Sequence, residues 1–250
     1  MIPQNRLDEI KKLMSIHRTV TTKDLCEKLY SSPSTIRRDL IELENAGIVR
    51  RIHGGATLIA NTTTDFSYAI RAASQKAEKE YITKIASNYL RDDMSLFIDT
   101  STTASYILPY FEQFANITII THCIEIAYHL KNSSSAKVFV AGGQIKRFSS
   151  AIIGEQTFDY LSNFRADLSI ISCKCLDTAG FYEADYTIAN LKRLMVQQAT
   201  KSILLCDSTK FDTSSTYSVS DFVNIDAIIT DKKPDDSYFS ALSNTSILWR

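Results

Sequence analysis

The sequence predicts an α/β protein in two parts, a small helical head followed by a larger body built on a mostly parallel sheet. Three observations carry the prediction. The 250 residues are 44% hydrophobic and 22% charged, a globular composition that excludes wholesale disorder. From residue 78 onward, short apolar runs alternate with helical patterns, as βαβ units require. Before residue 59, three amphipathic helical patterns follow closely on one another and end at a glycine hairpin.

The head is read element by element. Pro3 opens the first helix, with Leu7, Ile10, Leu13 and Met14 on one face. Thr21 or Thr22 caps the second, which carries Leu25 and Leu29. After Tyr30-Ser31, Ser32 is an N-cap and Pro33 suits the first position of a third helix. That helix has an apolar stripe at Ile36, Leu40 and Leu43, and Gly47 is expected to end it. The tight join between helices two and three is what a helix-turn-helix needs. Ser34, Thr35, Arg37 and Arg38 then project away from the stripe, as on a recognition helix entering a major groove. Residues 48–56 read as strand, Gly54-Gly55 turn and return strand, a wing whose Arg50, Arg51 and His53 suit phosphate or minor-groove contact. Taken alone, the pattern also fits a protein-interaction module.

The run from Ser34-Thr35-Ile36-Arg37-Arg38-Asp39-Leu40 through Leu43-Glu44 and Gly47 to Arg51-Ile52-His53-Gly54-Gly55-Ala56 resembles the DeoR family of bacterial transcriptional regulators. The resemblance implies that residues 20–39 are the helix-turn-helix proper. It makes Thr21, Ser34, Thr35, Arg37, Arg38, Arg50, Arg51 and His53 the candidate contacts to double-stranded operator DNA.

Charge agrees with this division. The chain is neutral, with 28 Lys and Arg against 28 Asp and Glu. Residues 1–56 hold ten basic against seven acidic residues, a net +3, which leaves −3 for the rest. The expected domains are a head at 1–58, a linker at 59–77 around the polar stretch 61–65, and a body at 78–250. Phe66 to Lys76 reads as a joining helix.

In the body, strands are expected at 95–99, 117–121, 137–141, 167–173, 201–207, 227–230 and 246–249. Helices are expected at 78–90, 103–111, 123–131, 155–163 and 187–200. Several strands are nearly continuous apolar runs, which fits a sheet covered on both faces. In such sheets ligands bind beyond the carboxyl ends of strands. Those ends carry Asp99-Thr100-Ser101-Thr102-Thr103, Thr121-His122, Gly142-Gly143 and Asp207-Ser208-Thr209-Lys210. Hydroxyls and free N–H groups at a helix start suit a phosphate or carboxylate, and a nearby lysine can neutralise it.

The resemblance continues through the body. It implies a sensor domain similar in fold to ribose-5-phosphate isomerase, binding a phosphorylated sugar or related metabolite at these strand ends. Ser101 stands where the family has glycine, His122 where it has asparagine, and Ile188-Ala189 where Glu-Ala is common. A side chain at 101 is expected to narrow the loop if that position needs positive φ. Lysines 174, 192 and 210 are the available compensating charges. The candidate effector contacts are Asp99, Thr100, Ser101, Thr102, Thr103, Thr121, Gly142, Gly143, Lys174, Asp207 and Lys210.

The expected function is a DNA-binding regulator, a repressor of a carbohydrate-utilisation operon released by a phosphorylated sugar, and a homo-oligomer. No enzymatic activity, cofactor or metal is expected. Two alternatives stand beside it. In one the body is only an oligomerisation scaffold. In the other it is a sugar-phosphate isomerase drawing on Asp99, Glu183, Asp185, Asp207 or Lys210. The five cysteines read as buried, reduced residues. No apolar run approaches the roughly 18–20 residues of a membrane helix, and no signal peptide is read, so a cytoplasmic protein is expected.

Overall fold

The computed structural model describes residues 3–17, 19–45, 49–58, 68–146, 149–242 and 245–249. The chain divides into two compact units, 1–67 and 68–250.

The first unit comprises α1 (Pro3–Ile16), β1 (Thr19–Thr21), α2 (Thr22–Leu29), α3 (Pro33–Asn45), β2 (Val49–Ile52) and β3 (Gly55–Leu58). Leu7, Ile10 and Met14 of α1, Leu25 and Leu29 of α2, and Ile36, Leu40 and Leu43 of α3 are buried, so the predicted stripes form this unit's core. Thr21 caps α2 by accepting from Asp24 N at 3.0 Å, and Ser32 caps α3 by accepting from Thr35 N at 3.2 Å. The expected end of the third helix at Gly47 lies outside the described residues. The hairpin gains a strand that the sequence reading lacked: β3 pairs antiparallel with both β1 and β2. A Cβ at Gly55 would stand 2.2 Å from Val20 O, so only glycine admits this close pairing.

The second unit begins with α4 (Tyr68–Ala73) and α5 (Lys76–Ala86). The expected joining helix at 66–76 is therefore broken. Gln75 takes a left-handed conformation at φ 50, and the buried Lys79 ammonium donates to the Arg71 and Ser74 carbonyls, satisfying groups that the end of α4 leaves open. Phe66 lies outside the described residues, as do the linker residues 59–67.

Seven parallel strands follow: β4 (Ser95–Ile98), β5 (Ile117–Thr121), β6 (Ala136–Val140), β9 (Ala166–Ser172), β12 (Ala199–Leu205), β14 (Ala227–Ile229) and β15 (Ser246–Leu248). Their order is β15-β14-β12-β9-β4-β5-β6, and each matches an expected strand. Between them run α6 (Thr102–Ser105), α7 (Ile124–Leu130), β7 (Gln144–Ile145), β8 (Ile152–Ile153), α8 (Glu155–Ser162), β10 (Cys175–Asp177), β11 (Gly180–Glu183), α9 (Tyr186–Gln197), β13 (Tyr217–Ser220) and α10 (Asp236–Ala241). The expected helix at 103–111 is only one turn, followed by a 3-10 segment at Leu108–Gln113. Pro109 explains the break, because it lacks an N–H and disfavours helical backbone before it. The β10-β11-β13 antiparallel sheet, the β7-β8 pair and α10 were not expected.

Alternate strand residues feed two cores. Phe97, Ile120, Ile171, Leu204 and Ile228 face one side, with Leu191, Met195 and Phe181. Leu96, Ile119, Ile170, Ile203 and Ile229 face the other, with Ile82 and Ala86. Both faces are covered, and each fully buried large aliphatic contributes about 1.5–3 kcal/mol. Because the strands are parallel, all carboxyl ends share one edge. The chain runs outward through β4, β5 and β6, then returns to β9 on the other side of β4. The switch point where ligands bind in such sheets therefore lies between β4 and β9.

Candidate functional site

In the first unit, α3 is locked by its inner face and open on its outer one. Asp39 lies on the inner face and is buried. Arg6 of α1 donates to its two carboxylate oxygens, Nε at 2.5 Å and a terminal nitrogen at 3.0 Å. This bidentate pair fixes α3 to α1, a role for Asp39 that the sequence reading did not assign. On the outer face Ser34, Arg37 and Arg38 are exposed, and the two arginines have no partner among the described residues. The hydroxyls of Ser34 and Thr35 each bond Ser32 Oγ, at 2.9 and 2.8 Å, which orders the start of the helix.

Arg50 of β2 and His53 of the hairpin turn are exposed and likewise unpartnered among the described residues. Arg51 differs: Glu44 of α3 accepts from its backbone N at 2.9 Å and sits 3.1 Å from its Nε, tying the wing to the third helix. Thr21's hydroxyl is committed to the α2 cap. Tyr30 closes α2 in a left-handed conformation, with its side chain 95% exposed.

In the second unit, the strand ends meet at a buried polar cluster. Asp99, one residue beyond β4, accepts from Ser101 N at 2.9 Å and from Ser172 N of β9 at 3.0 Å, bridging the switch point. Lys192 of α9 stands 3.0 Å from Asp99 Oδ2, donates to Ser172 O at 2.5 Å, and pairs with Glu183 of β11. Burial favours the neutral form of Lys192, but Asp99 and Glu183 outweigh it and raise its pKa. Burial likewise pushes the Asp99 carboxyl up. The Lys192 ammonium and the hydrogen bonds from Ser101 and Ser172 overcome that and hold it below the usual carboxylate range.

Lys210 donates to Ser172 Oγ at 3.1 Å and Cys173 O at 2.8 Å, with Asp207 at 4.0 Å. Asp207 accepts from Thr209 N and Oγ1, and Asp231 accepts from Ser208 N at 2.6 Å, so the turn after β12 is ordered. Burial, helped by the Lys210 charge, lowers Lys79 to about 8. Asp99, Asp207 and Lys210 therefore converge with Lys192 and Glu183, which had not been placed among the effector contacts.

The loop after β4 departs from expectation at Ser101. Its φ is −74, in the extended region, so the position needs no glycine. Its hydroxyl accepts from Ala104 N at 3.1 Å and caps α6, while Thr102 and Thr103 are buried in that turn. Thr121 is fully occupied in the fold, donating to Ile98 O at 2.7 Å and accepting from Cys123 N at 3.1 Å. Gly142 and Gly143 follow β6 and adjoin α8, where Thr157 Oγ1 donates to Gly142 O at 2.8 Å. Lys174 is exposed, its backbone N donating to Tyr182 O at 3.0 Å. His122 is fully buried, and neither ring nitrogen has a hydrogen-bond partner. Burial lowers its pKa to about 4; Asp99 opposes that shift and Lys192 adds to it.

The carboxylates available for proton transfer are occupied. Asp99 and Glu183 hold Lys192, and Asp185 caps α9 through Ile188 N and pairs with Lys146 at 3.0 Å. The five cysteines are free; Cys26 is partly exposed rather than buried, and the other four are buried. Among the described residues, no helix is long and apolar enough to cross a membrane.

Comparison with known proteins places these two arrangements together. The DeoR-like helix-turn-helix domain matches residues 6–62 and the DeoR C terminal sensor domain matches residues 74–232. The chain is 30% identical over 243 residues to the glycerol-3-phosphate regulon repressor of Escherichia coli, covering 97% of this chain and 96% of that one. It is 29% identical over 248 residues to the HTH-type transcriptional regulator GolR of Listeria innocua, covering 99% and 98%. It is 30% identical over 241 residues to the lactose phosphotransferase system repressor of Staphylococcus aureus, covering 94% and 95%. Among solved structures, a D-ribose-5-phosphate isomerase in complex with phospho-erythronic acid matches 54% of each chain at 14% identity and a TM-score of 0.40. The three sequence relatives are named as transcriptional regulators, and on both domain matches the chain belongs to the DeoR family of transcriptional regulators.

Proposed function

We propose that this chain represses carbohydrate-utilisation genes, its head gripping operator DNA and its body binding a phosphorylated sugar or polyol that changes that grip. The observation that carries the first half is the outer face of α3, where Arg37 and Arg38 stand exposed and unpaired opposite a fully buried stripe. Unpaired arginines at the start of a recognition helix suit guanine edges and phosphates. Ser34 and Thr35 line the same helix start, near enough to the backbone for phosphate contact. Arg50, Arg51 and His53 extend the surface onto the wing, and Thr21 sets the entry of α2.

The second half rests on the switch-point cluster. The loop from Asp99 to Thr103, with Asp207 and Lys210, offers helix-start N–H groups beside a partly exposed ammonium. A phosphorylated ligand is supported by the names of two relatives, one a repressor of the glycerol-3-phosphate regulon and one a repressor of a lactose phosphotransferase system. Gly142, Gly143 and Lys174 complete the proposed contact set, while Thr121, whose hydroxyl is closed off in the fold, holds the end of β5 in place. The working domains are a head at 1–58 and a body at 78–250, and of the residues 59–77 between them 68–77 fold with the body. A single winged helix makes too few contacts for high specificity, so the acting species is a homo-oligomer on repeated half-sites, and a cytoplasmic location goes with that reading.

The test is DNA binding by the full chain. Arg38→Ala should weaken binding and relax sequence preference. Arg50→Ala should weaken all duplexes evenly and reduce the salt slope by about one. Unchanged affinity in both variants would refute the surface.

A further inference from the structure

Among the described residues of the polar cluster, the buried charged groups are engaged. Asp99, Ser172, Glu183 and Lys192 bond one another, and Thr121 has both a donor and an acceptor partner. His122 is the exception: both imidazole nitrogens are buried and unpaired. Its position explains what it faces. Phe97 and Ile120 enter the same core, and side chains alternate along strands. Two residues on, Asp99 and His122 therefore leave β4 and β5 on that same face, where α9 brings Lys192. The two charges that act on the ring are those of Asp99 and Lys192.

We propose that His122 reads the hydroxyls of the bound phosphate ester, donating to one through one ring nitrogen and accepting from another through the other, the two nitrogens the fold leaves unpaired. The proposal rests on the reading of the body as a phosphate-ester sensor and adds which part of the ester is recognised. The ring's pKa of about 4 keeps it neutral near pH 7, with one donor and one acceptor. That matches a polyol, whose separate hydroxyls can accept at one nitrogen and donate at the other. It mismatches a phosphate, which mainly accepts, and an ammonium, which only donates. Packing alone would favour an apolar ring here, because a buried polar atom without a partner destabilises the fold. His122 is fully covered, so an ester reaches it as the strand-end loops part. Occupation is thereby coupled to a change of shape, which an effector requires.

The test uses the full chain, its His122→Phe variant and its His122→Asn variant. The probes are glycerol 3-phosphate, glucose 6-phosphate and fructose 1-phosphate, with n-propyl phosphate as the hydroxyl-free counterpart, and binding is read by calorimetry. At least one hydroxylated ester should bind the unaltered protein about tenfold or more tighter than n-propyl phosphate. His122→Phe should abolish that preference while melting no lower than the unaltered protein when free. His122→Asn should retain part of the preference. A preference that survives in His122→Phe, or a free His122→Phe protein that melts markedly lower, overturns the proposal. Equal binding of n-propyl phosphate and the hydroxylated esters by the unaltered protein overturns it alone and leaves the sensor reading standing. Binding of none of these esters overturns the sensor reading, and the role of His122 with it.

Discussion

The Lys192 ammonium lies 3.0 Å from Asp99 Oδ2 with both side chains buried, and this pair joins α9 to the switch point of the sheet. Glu183 is the second carboxylate on the same ammonium, so β4, β11 and α9 meet at one cation.

Removing that cation leaves two buried carboxylates unpaired. Lys192→Met should lower unfolding stability by about 3–5 kcal/mol, read from urea denaturation at constant m-value. Lys210→Ala, which removes a side chain that is one-fifth exposed with its ammonium 4.0 Å from Asp207, should cost about 1 kcal/mol or less. Equal losses would mean that the buried cluster is no more than a surface pair.

The pair between Arg6 and Asp39 makes a parallel case in the head. Asp39→Ala should destabilise it by about 3 kcal/mol, because the buried Arg6 guanidinium loses the carboxylate that it holds through two hydrogen bonds. Replacing both, Arg6→Met with Asp39→Leu, should recover most of the loss. A thermal melt of the three variants decides it, and a double variant as weak as Asp39→Ala would contradict this account.

His122 predicts an acid dependence. Its pKa is lowered from 6.5 to about 4, so between these values the unfolded chain binds a proton that the folded one does not. Stability contributed by the neutral ring is full above about pH 6.5 and is lost as pH falls toward about 4. The loss is about 3 kcal/mol. Urea midpoints across that range should fall less steeply for His122→Phe than for the unaltered protein, and identical slopes would show that the ring is not held neutral.

The two glycines after β6 should behave differently. Gly143 has φ 148, and a Cβ there would stand 2.3 Å from Thr157 Oγ1 and 2.6 Å from Ile153 O. Gly143→Ala should therefore cost about 1–3 kcal/mol or more, while Gly142→Ala, which meets nothing within 4 Å, should stay within about 0.5 kcal/mol. Melting temperatures of the two variants check the contrast.

What the sequence made legible follows from where information is local. Several of the sheet strands hold nearly continuous apolar runs such as Ile203-Leu204-Leu205, and the head's stripes repeat at helical spacing. Short strands such as Cys175–Asp177 and Tyr217–Ser220 carry no such run; β11 pairs with the first as a tight hairpin and with the second from far away in sequence. The break at Pro109 was visible, yet the apolar pattern around it suggested a continuous helix. The strand-end residues were legible because sheet topology sends them to one edge. Their engagements were not: that Thr121's hydroxyl is closed off, that Ser101 needs no glycine conformation, and that Lys192 serves two carboxylates are facts of tertiary geometry.

The measurement that tests the central claim most directly is the affinity of the full chain for a duplex selected from a random pool, taken with and without the phosphate esters named above. One ester should change that affinity by about 5–150-fold, the usual range of coupling between sites, and Lys210→Ala should abolish the change while leaving ester-free DNA binding intact. An affinity that no ester alters, or an alteration that persists in Lys210→Ala, would contradict the assignment of the switch-point cluster as the sensor.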